Sequence, residues 1–565
     1  MTLVTQIKIM KSHIALCVSS TFLFSSLAFA QGGTGVDLIY QWDGVEASDY
    51  LGQYVSDAGD VDGDGFDDVI VAAPYSGGGL YGYDSYGAAF VYSGATGAVL
   101  HRFDAAIAGT QFAKSVAGPG DVNGDGFDDI LFGAHNHGVG GAVFVYSGAD
   151  GTLLFQLDSN VSDGRYGEVV AAVGDVNVDG FADFLVSDPN GDPIGLNRAG
   201  TVYLYSGATG ALLMQFDGQV SDTHFGQSIS GAGDVNADGI PDVIIGGGNL
   251  DFANVYSGAT GNLLYQLTEV SSFGRSVAGI GDIDGDGADD LLVGAPLADT
   301  NYAVRAGSVF AYSGATGTVL FRLDGQSNRD EFGYSVADAG DITGDGVSDI
   351  LVGAAYATPN GLFGRGAAYI YSGATGLFQI QINGSDQNTN LGLDVSTAGD
   401  VNGDGLADIV VGEFGAAPNG ISRAGSAYVY SFGNFDPYLS ISASSISSSA
   451  GGQLDFNIDF PAAQAGLYYT LLASMDTADP WTHNGVEVPL SPYAFLQTMM
   501  FNPSPVFQQS RGTLDFNGDG HALAIVPPGM LASHVGSQFW FAAIAYSTGR
   551  NLTTSSTAIS LDILP

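Results

Sequence analysis

The sequence predicts an all-β protein, in which a closed ring of seven similar units is followed by a smaller β domain. Three observations support this prediction. A nine-residue string rich in Asp and Gly recurs seven times, and each repeat offers four short β segments separated by turn residues. The repeats lack the apolar period of an amphipathic helix.

The recurring string, called the Asp loop below, runs from Asp60 to Asp68 in its first copy. The other six copies are Asp121–Asp129, Asp175–Asp183, Asp234–Asp242, Asp282–Asp290, Asp341–Asp349 and Asp400–Asp408. An aromatic–glycine pair precedes most copies. After each copy comes an apolar run that ends in small residues, and then an alternating strand that closes on Tyr-Ser, with a Gly next in six of the seven copies. Four-stranded repeats of this kind are typical of propeller blades, so residues 37–433 are predicted to form a seven-bladed β-propeller.

The strand pattern also predicts how the ring closes. After the last Tyr-Ser strand, Ala427–Ser431, no outer strand of the usual type follows. The segment Leu38–Asp43 has that missing pattern and precedes the first repeat. Because an open ring would expose unpaired strand edges, the N-terminal strand is expected to complete the seventh blade.

Residues 1–30 have the features of a secretory signal peptide. Lys8 and Lys11 precede an apolar run over residues 14–29, and a small-residue cleavage site ends at Ala30. The chain is therefore expected to be secreted, extracellular or at the cell surface, with cleavage after Ala30. The single cysteine, Cys17, lies in this segment, so the mature chain is expected to contain no disulfide and no catalytic thiol. No later segment is predicted to span a membrane.

The charge balance argues against several functions. Asp and Glu number 60 against 14 Lys and Arg, a formal net charge of −46, which disfavours nucleic acid as a partner. The sequence has neither a G-x-S-x-G elbow nor an H-E-x-x-H motif, so no enzymatic activity is expected. His135 and His137 are expected in a solvated loop, and contact with a metal is the less favoured alternative.

The Asp loop has the chemistry of a calcium site. Positions 1, 3, 5 and 9 supply side-chain oxygens, position 7 can offer its carbonyl, and position 6 is glycine in every copy. Ca²⁺ takes six to eight such oxygens. Up to seven Ca²⁺ ions are therefore predicted, one per blade, against the alternative of metal-free turns. The predicted ligands are Asp60, Asp62, Asp64, Asp68, Asp121, Asn123, Asp125, Asp129, Asp175, Asn177, Asp179, Asp183, Asp234, Asn236, Asp238, Asp242, Asp282, Asp284, Asp286, Asp290, Asp341, Thr343, Asp345, Asp349, Asp400, Asn402, Asp404 and Asp408.

The copies differ at position 3. Blades 1 and 5 carry Asp there and so have four acidic ligands, whereas Thr343 in blade 6 is a poorer ligand. Since ligand charge helps to set calcium affinity, blades 1 and 5 are predicted to bind most tightly.

These motifs resemble FG-GAP repeats, the blades of the integrin α-chain propeller and of its bacterial relatives. The resemblance covers residues 37–433, with departures at Phe112-Ala113 in blade 2 and at Val186–Pro189 in blade 3. It implies a calcium-stiffened propeller that binds proteins or sugars. The family also includes domains attached to enzymes, so the fold alone does not determine function.

Topology places a candidate ligand surface. If the Asp loops join strands 1 and 2, the 2–3 and 4–1 loops share the opposite rim. Aromatic residues there suit ligand contact, although they could instead pack within their loops. The candidates are Tyr75, Tyr81, Tyr83, Tyr86, Tyr302, Tyr356 and Phe363. The sequence thus favours an adhesion or recognition module for an extracellular protein or glycan. A carbohydrate-binding lectin and a non-catalytic scaffold of a secreted hydrolytic system are the alternatives.

Residues 435–565 lack the repeat and are predicted to form a β-sandwich-like domain. Gln453–Phe460 alternates apolar and polar residues, as a half-buried strand does. Asp515–Gly520 imitates the start of an Asp loop, but its ninth position is Leu523, so a turn is favoured over a metal site. The role of this domain stays open between a stalk, a secretion element and a second binding module.

Overall fold

The computed structural model describes residues 36–77, 85–159, 161, 164–300 and 303–432, and beyond them only short strands between residues 439 and 564. The predicted signal peptide, residues 1–30, lies outside the described residues. Within them, no helix is long and apolar enough to cross a membrane.

Seven four-stranded antiparallel sheets form the blades of a seven-bladed β-propeller, as predicted. Blade 1 contains β2 (Tyr54–Gly59), β3 (Asp68–Ala73), β4 (Ala88–Tyr92) and β5 (Val99–Asp104). Blade 2 contains β6 (Ser115–Gly120), β7 (Asp129–Ala134), β8 (Ala142–Tyr146) and β9 (Leu153–Asp158). Blade 3 contains β10 (Val170–Gly174), β11 (Asp183–Asp188), β12 (Thr201–Tyr205) and β13 (Leu212–Asp217). Blade 4 contains β14 (Phe225–Gly233), β15 (Asp242–Gly247), β16 (Ala253–Tyr256) and β17 (Leu263–Leu267). Blade 5 contains β18 (Ser276–Ile280), β19 (Asp290–Ala295), β20 (Ser308–Tyr312) and β21 (Val319–Asp324). Blade 6 contains β22 (Ser335–Asp338), β23 (Ile350–Ala354), β24 (Ala367–Tyr371) and β25 (Phe378–Asn383). Blade 7 contains β26 (Val395–Gly399), β27 (Asp408–Glu413), β28 (Ser426–Phe432) and β1 (Val36–Asp43). Three 3₁₀ turns, Pro193–Gly195, Pro359–Gly361 and Pro418–Gly420, lie in 2–3 loops.

The remaining strands lie between residues 439 and 564. They are β29 (Leu439–Ile441), β30 (Ser445–Ser447), β31 (Gly452–Asp459), β32 (Tyr468–Ser474), β33 (Trp481–His483), β34 (Val486–Val488), β35 (Phe507–Gln508), β36 (Arg511–Thr513), β37 (Asp519–Val526), β38 (Gln538–Tyr546), β39 (Leu552–Ser555) and β40 (Ile559–Leu564). A four-stranded sheet has the order β29-β31-β37-β35, and a second sheet has the order β30-β40-β38-β32-β36 with β39 paired to β38. Strands β33 and β34 pair separately. Side chains of this part lie outside the described residues, so the sandwich stays a prediction.

The hydrophobic core of the propeller lies between the blades. The second strand of each blade is buried along its whole length, as in β3, because neighbouring blades cover both of its faces. One cluster joins Ile70 and Val91 of blade 1 to Phe112, Ile130 and Phe132 of blade 2. Outer strands such as β5 are only partly buried. Burial of apolar area between adjacent sheets therefore holds the ring together.

The N-terminal strand closes the ring, which confirms the sequence prediction. Strand β1 pairs antiparallel with β28, with Trp42 opposite Ala427. The Trp42 indole N–H donates to the Gly97 carbonyl at 3.0 Å, and its ring stacks on Tyr92 of blade 1 with 4.1 Å between ring centroids. This strand thus completes blade 7 and also contacts blade 1.

We predict that Trp42→Ala lowers the free energy of unfolding by about 3–5 kcal/mol, because it removes a large buried side chain at the closure. Trp42 is 8% exposed. Chemical denaturation of the full chain measures the change. Leu38→Ala is the control on the same strand, since Leu38 is 46% exposed and its loss should cost under about 0.5 kcal/mol. Equal losses of unfolding free energy in the two variants would contradict a stabilising role of Trp42 at the ring closure.

Candidate cation sites and the opposite rim

The seven Asp loops join the first and second strands of their blades, so all lie on one rim, called the Asp-loop rim below. At position 6, Gly65 has φ of +92°, and its six equivalents lie between +86° and +93°. No atom lies within 4 Å of the place where a Cβ would be added to Gly65. The left-handed backbone, and not a lack of space, therefore requires glycine here.

The first carboxylate of the loop organises its backbone. Asp60 Oδ1 accepts hydrogen bonds from the Gly63 and Asp64 amides at 2.7 and 3.1 Å, and Oδ2 accepts one from the Gly65 amide at 3.0 Å. Asp282 in blade 5 makes the same three bonds to its own loop. The turn is therefore folded around its first carboxylate.

The last carboxylate of the loop is fully buried in all seven blades. Asp68 accepts hydrogen bonds from the Val61 amide at 3.0 Å and from the Gly94 amide at 2.9 Å, so it ties the loop to the 3–4 turn of the same blade. Burial raises the pKa of Asp68 to about 7 and the pKa of Asp290 to about 6. A buried carboxylate of this kind favours a nearby cation, since the cation offsets the cost of desolvating its charge.

Among the described residues, only two loops bring three carboxylates together. Oxygens of Asp60, Asp62 and Asp68 lie within 4.8 Å of one another, and the same holds for Asp282, Asp284 and Asp290. An all-oxygen donor set of this charge suits Ca²⁺. The fifth-position residues do not join these groups; Asp64 instead accepts a hydrogen bond from the Phe66 amide.

The loops with Asn at position 3 are arranged differently. The Asn123 amide nitrogen donates to Asp129 at 3.2 Å, and Asn236 and Asn402 donate in the same way to Asp242 and Asp408. In these three loops an amide N–H, and not a third carboxylate, faces the buried position-9 oxygen. Blades 1 and 5 therefore fit a divalent cation best.

Sequence reasoning missed a set of contacts made by position 8. The Asp67 carboxylate accepts a hydrogen bond from the Asp400 amide at 2.9 Å, across the closure between blades 1 and 7. Asp128 caps the amide of Asp60 in the same way, and the corresponding pair joins blades 5 and 4. The sequence signal for these contacts between blades was the second Asp at position 8, next to the Asp at position 9, but only three of the seven copies have it.

The opposite rim, formed by the 2–3 and 4–1 loops, has a different composition. Residues 36–432 contain ten Lys and Arg residues, of which Arg102 and Arg322 lie on outer strands and the other eight in opposite-rim loops. These eight are Lys114, Arg165, Arg198, Arg275, Arg305, Arg329, Arg365 and Arg423. Basic side chains are thus concentrated on one side of a strongly acidic chain.

Exposed apolar side chains follow the same division. Eleven exposed large apolar residues of the described chain lie in opposite-rim loops: Val45, Tyr86, Ile107, Val139, Val161, Ile194, Val220, Leu250, Leu297, Val304 and Phe363. The Asp loops expose one, Val178, and the remaining seven lie in outer strands. The opposite rim is therefore the apolar as well as the basic end of the propeller.

The predicted aromatic contacts divide into three groups. Tyr86 and Phe363 are exposed. Tyr75 and Tyr356 are half-buried and pack edge-on against aromatic rings of neighbouring loops. The other three, Tyr81, Tyr83 and Tyr302, lie outside the described residues.

The prediction that His135 lies in a solvated loop was wrong. Its side chain is buried, and Nδ1 lies 3.4 Å from Oε2 of buried Glu168. Glu168 Oε1 lies 3.5 Å from Arg165 and 3.9 Å from Lys114. The Lys114 ammonium also donates to the Tyr54 hydroxyl at 2.6 Å. The sequence offered one signal for this buried cluster, because Lys114 is the only lysine after residue 11.

Comparison with known proteins agrees with this architecture. Residues 53–92, 166–205 and 273–312 match the FG-GAP repeat model. Blades 1, 3 and 5 of the propeller thus contain FG-GAP repeats. Each matched segment ends at the last residue of a third strand, so the FG-GAP repeat spans three strands of a blade and its Asp loop, and the fourth strand lies outside the match.

The propeller is also similar to integrin α chains. Integrin alpha-V of Gallus gallus is 30% identical over 233 residues, which cover 37% of this chain and 21% of the relative. Integrin alpha-5 of Xenopus laevis is 30% identical over 229 residues, with the same coverage. Integrin alpha pat-2 of Caenorhabditis elegans is 28% identical over 222 residues, covering 34% and 17%. The chain thus spans about a fifth of the length of these curated relatives.

We predict that chelation with EGTA lowers the melting temperature of the full chain. A loop that binds Ca²⁺ at 100 times its Kd adds about 2.7 kcal/mol to the stability of the fold. Asp284→Asn, which gives blade 5 the residue found in four other blades, should weaken calcium binding measured by titration calorimetry. Asn123→Asp in blade 2 is the reciprocal control and should strengthen it. An unchanged thermal transition in EGTA would contradict occupied calcium loops.

The hydrogen bond from the Asp400 amide to Asp67, which links blades 7 and 1, leads to a second prediction. Asp67→Ala should lower the free energy of unfolding by about 1 kcal/mol, because the Asp400 amide loses its charged acceptor at a half-exposed site. Asp67→Asn keeps an acceptor oxygen and should cost less. Denaturant titration of both variants measures the difference, and an Asn variant as unstable as the Ala variant would show that the hydrogen bond is not the cause.

The buried histidine should make stability depend on pH. Burial lowers the pKa of His135 from 6.5 to about 4, so between these values the unfolded chain binds the proton more readily. The contribution of His135 to stability is then lost as pH falls through this window, at a limiting slope of about 1.4 kcal/mol per pH unit, whereas buried aspartates such as Asp68, with a pKa raised to about 7, act in the opposite direction. His135→Gln should remove this contribution, so the difference in unfolding free energy between wild type and variant should change with pH in denaturation measured from pH 4 to pH 8. His137→Gln, a half-exposed site on the same loop, should retain that contribution.

Proposed function

We propose that this FG-GAP propeller is a secreted, calcium-stabilised adhesion or recognition module that binds an extracellular protein through its opposite rim. One observation carries the proposal: exposed apolar side chains are concentrated on that rim together with eight basic residues, five of which are exposed. Contact surfaces of proteins are enriched in aromatic residues and Arg, and exposed apolar patches mark interaction sites. The exposed residues Tyr86 and Phe363 belong to the proposed surface. So do the sequence positions Tyr81, Tyr83 and Tyr302, which fall between the second and third strands of blades 1 and 5.

The Asp-loop rim has a structural role in this proposal. The residues predicted as ligands at positions 1, 3, 5 and 9 would hold up to seven Ca²⁺ ions, with those of blades 1 and 5 bound most tightly. Each ion would offset the charge of the buried position-9 carboxylate and stiffen its loop. The proposed function is binding and not catalysis.

The conformation of Ile194 supports a binding role for the opposite rim. This residue lies in the 3₁₀ turn Pro193–Gly195 with φ of +49° and is 81% exposed. The equivalent residues of blades 6 and 7 are Asn360 and Asn419, with φ of +56° and +54°. Asn tolerates this left-handed backbone, whereas a β-branched residue is strained in it. Blade 3 therefore displays an apolar side chain at a cost in stability, which is expected where that side chain contacts a ligand.

The relatives support the same class of function. The resemblance to integrin α chains implies recognition of proteins or sugars outside the cell. Residues 1–30, as a cleaved signal peptide, would deliver the chain there.

We predict that Ile194→Asn weakens partner binding by about tenfold while preserving or raising the melting temperature, because it removes an apolar contact and relieves strain. The wild-type chain is first screened against a panel of purified extracellular matrix and cell-surface proteins, with a glycan array in parallel. Affinities for a bound protein are then measured by biolayer interferometry.

Val178→Asn is the matched control. Val178 is also β-branched, exposed and left-handed, with φ of +58°, but it lies at position 4 of an Asp loop, on the other rim. It should leave binding unchanged. Loss of binding in Val178→Asn with no effect of Ile194→Asn would place the partner on the Asp-loop rim. Binding to glycans alone would favour the lectin alternative.

A further inference from the structure

Blade 4 departs from the other six blades in two ways at one place. Its 2–3 loop has five residues, 248–252, whereas the corresponding loops have 7 to 14 residues. Its third strand carries Asn254 where the other blades carry an aromatic residue. The equivalent residues, aligned on the last Tyr of each third strand, are Phe90, Phe144, Tyr203, Phe310, Tyr369 and Tyr428.

These two departures coincide with a cavity. In blades 5 and 6 the aromatic residue packs against the preceding phenylalanine of the FG pair, as Phe310 does against Phe273. In blade 4 the smaller Asn254 and the short loop leave a cavity of about 330 Å³. It lies between the end of the outer strand of blade 3, at Asp217, and strands β16 and β17 of blade 4. This volume is at the lower end of the range for small-molecule sites.

The polar groups of the cavity form a preorganised set of donors and acceptors. Asn254, which is 9% exposed, donates through Nδ2 to the Tyr256 hydroxyl at 3.0 Å. Gln266 donates through Nε2 to Asn254 Oδ1 at 3.2 Å. Each amide nitrogen carries two hydrogens, so each keeps a second N–H for a ligand. Asp217 adds a carboxylate that is held by Thr201 and Gln215.

Aromatic rings supply the apolar part of the lining. Phe225 and Phe252 stack with 6.3 Å between ring centroids, and Phe225 meets Tyr256 edge-on. A few fixed polar groups beside aromatic faces are the usual composition of a small-molecule site. The combination suits a ligand with hydroxyl groups at its edge and an apolar C–H face.

We propose that the blade 4 cavity binds a neutral, hydroxyl-rich ligand of about the size of one sugar residue. No Lys, Arg or His is among its lining residues, whereas Asp217 and Asp251 are, so an anion would be repelled. The amide N–H groups are donors and suit hydroxyl oxygens, whereas an ammonium ion needs acceptors only. This site lies on the opposite rim, since Val220 and Leu250 are among its lining residues, but its small neutral ligand differs in class from the protein partner proposed above, and the proposal does not depend on that partner.

The test uses the full chain with calcium and a panel of methyl glycosides of common neutral hexoses and N-acetylhexosamines as probes. Saturation-transfer NMR detects binding, and titration calorimetry measures it. At least one glycoside should bind. Asn254→Phe restores the residue type of the other blades, so it should fill the cavity, abolish binding and leave the melting temperature equal or higher.

Two further variants separate polar recognition from packing. Gln266→Ala keeps the cavity open and should weaken glycoside binding at least tenfold, since it removes one donor. Gln381→Ala is the matched control at the equivalent position of blade 6, where Tyr369 occupies the corresponding space, and it should have no effect. The proposal is overturned if no glycoside binds, if binding survives Asn254→Phe, or if Gln381→Ala weakens binding as much as Gln266→Ala.

Discussion

Seven aspartates that end the Asp loops are fully buried, and the architecture depends on how their charge is accommodated. In six blades the carboxylate accepts a hydrogen bond from the amide of a glycine in the 3–4 turn, so two separate turns of the rim meet at one side chain. These bonds offset only part of the desolvation cost, which is why the pKa values of Asp68 and Asp349 rise to about 7. A divalent cation would complete the compensation, and in blades 1 and 5 the carboxylates at positions 1 and 3 lie beside the buried one.

The two rims of the propeller differ in charge and in the variability of their loops. Carboxylates are concentrated at the Asp-loop rim, where a short loop is organised by its own side chains. The opposite rim has loops of variable length and nearly all the basic residues of residues 36–432. Because the blade strands are held by burial between neighbouring sheets, these loops can differ from blade to blade without loss of the ring. Variation in blade 3 at Ile194 and in blade 4 at Asn254 is of this kind.

Much of this could be predicted from the sequence. The repeat revealed the blades, the missing outer strand after Ala427–Ser431 revealed the closure, and strand alternation placed the two rims. Features that occur once escaped the same reasoning. Asp67 caps a residue more than 300 positions away, and His135 meets Glu168 of the next blade. A repeat pattern describes what each blade shares, whereas these contacts depend on which single residues adjacent blades bring face to face.

The closure by β1 also constrains the order of folding. Gln41 pairs with Tyr428, so β1 has no strand to pair with until β28, near the end of the propeller sequence, has formed. Contacts of such high sequence separation cost loop-closure entropy and slow folding. Until blade 7 is complete, β1 and β28 both present free edges that could pair with another chain. A nascent propeller is therefore most vulnerable to aggregation or strand exchange between copies at this stage. The final pairing of β1 with β28 closes the ring and removes that risk.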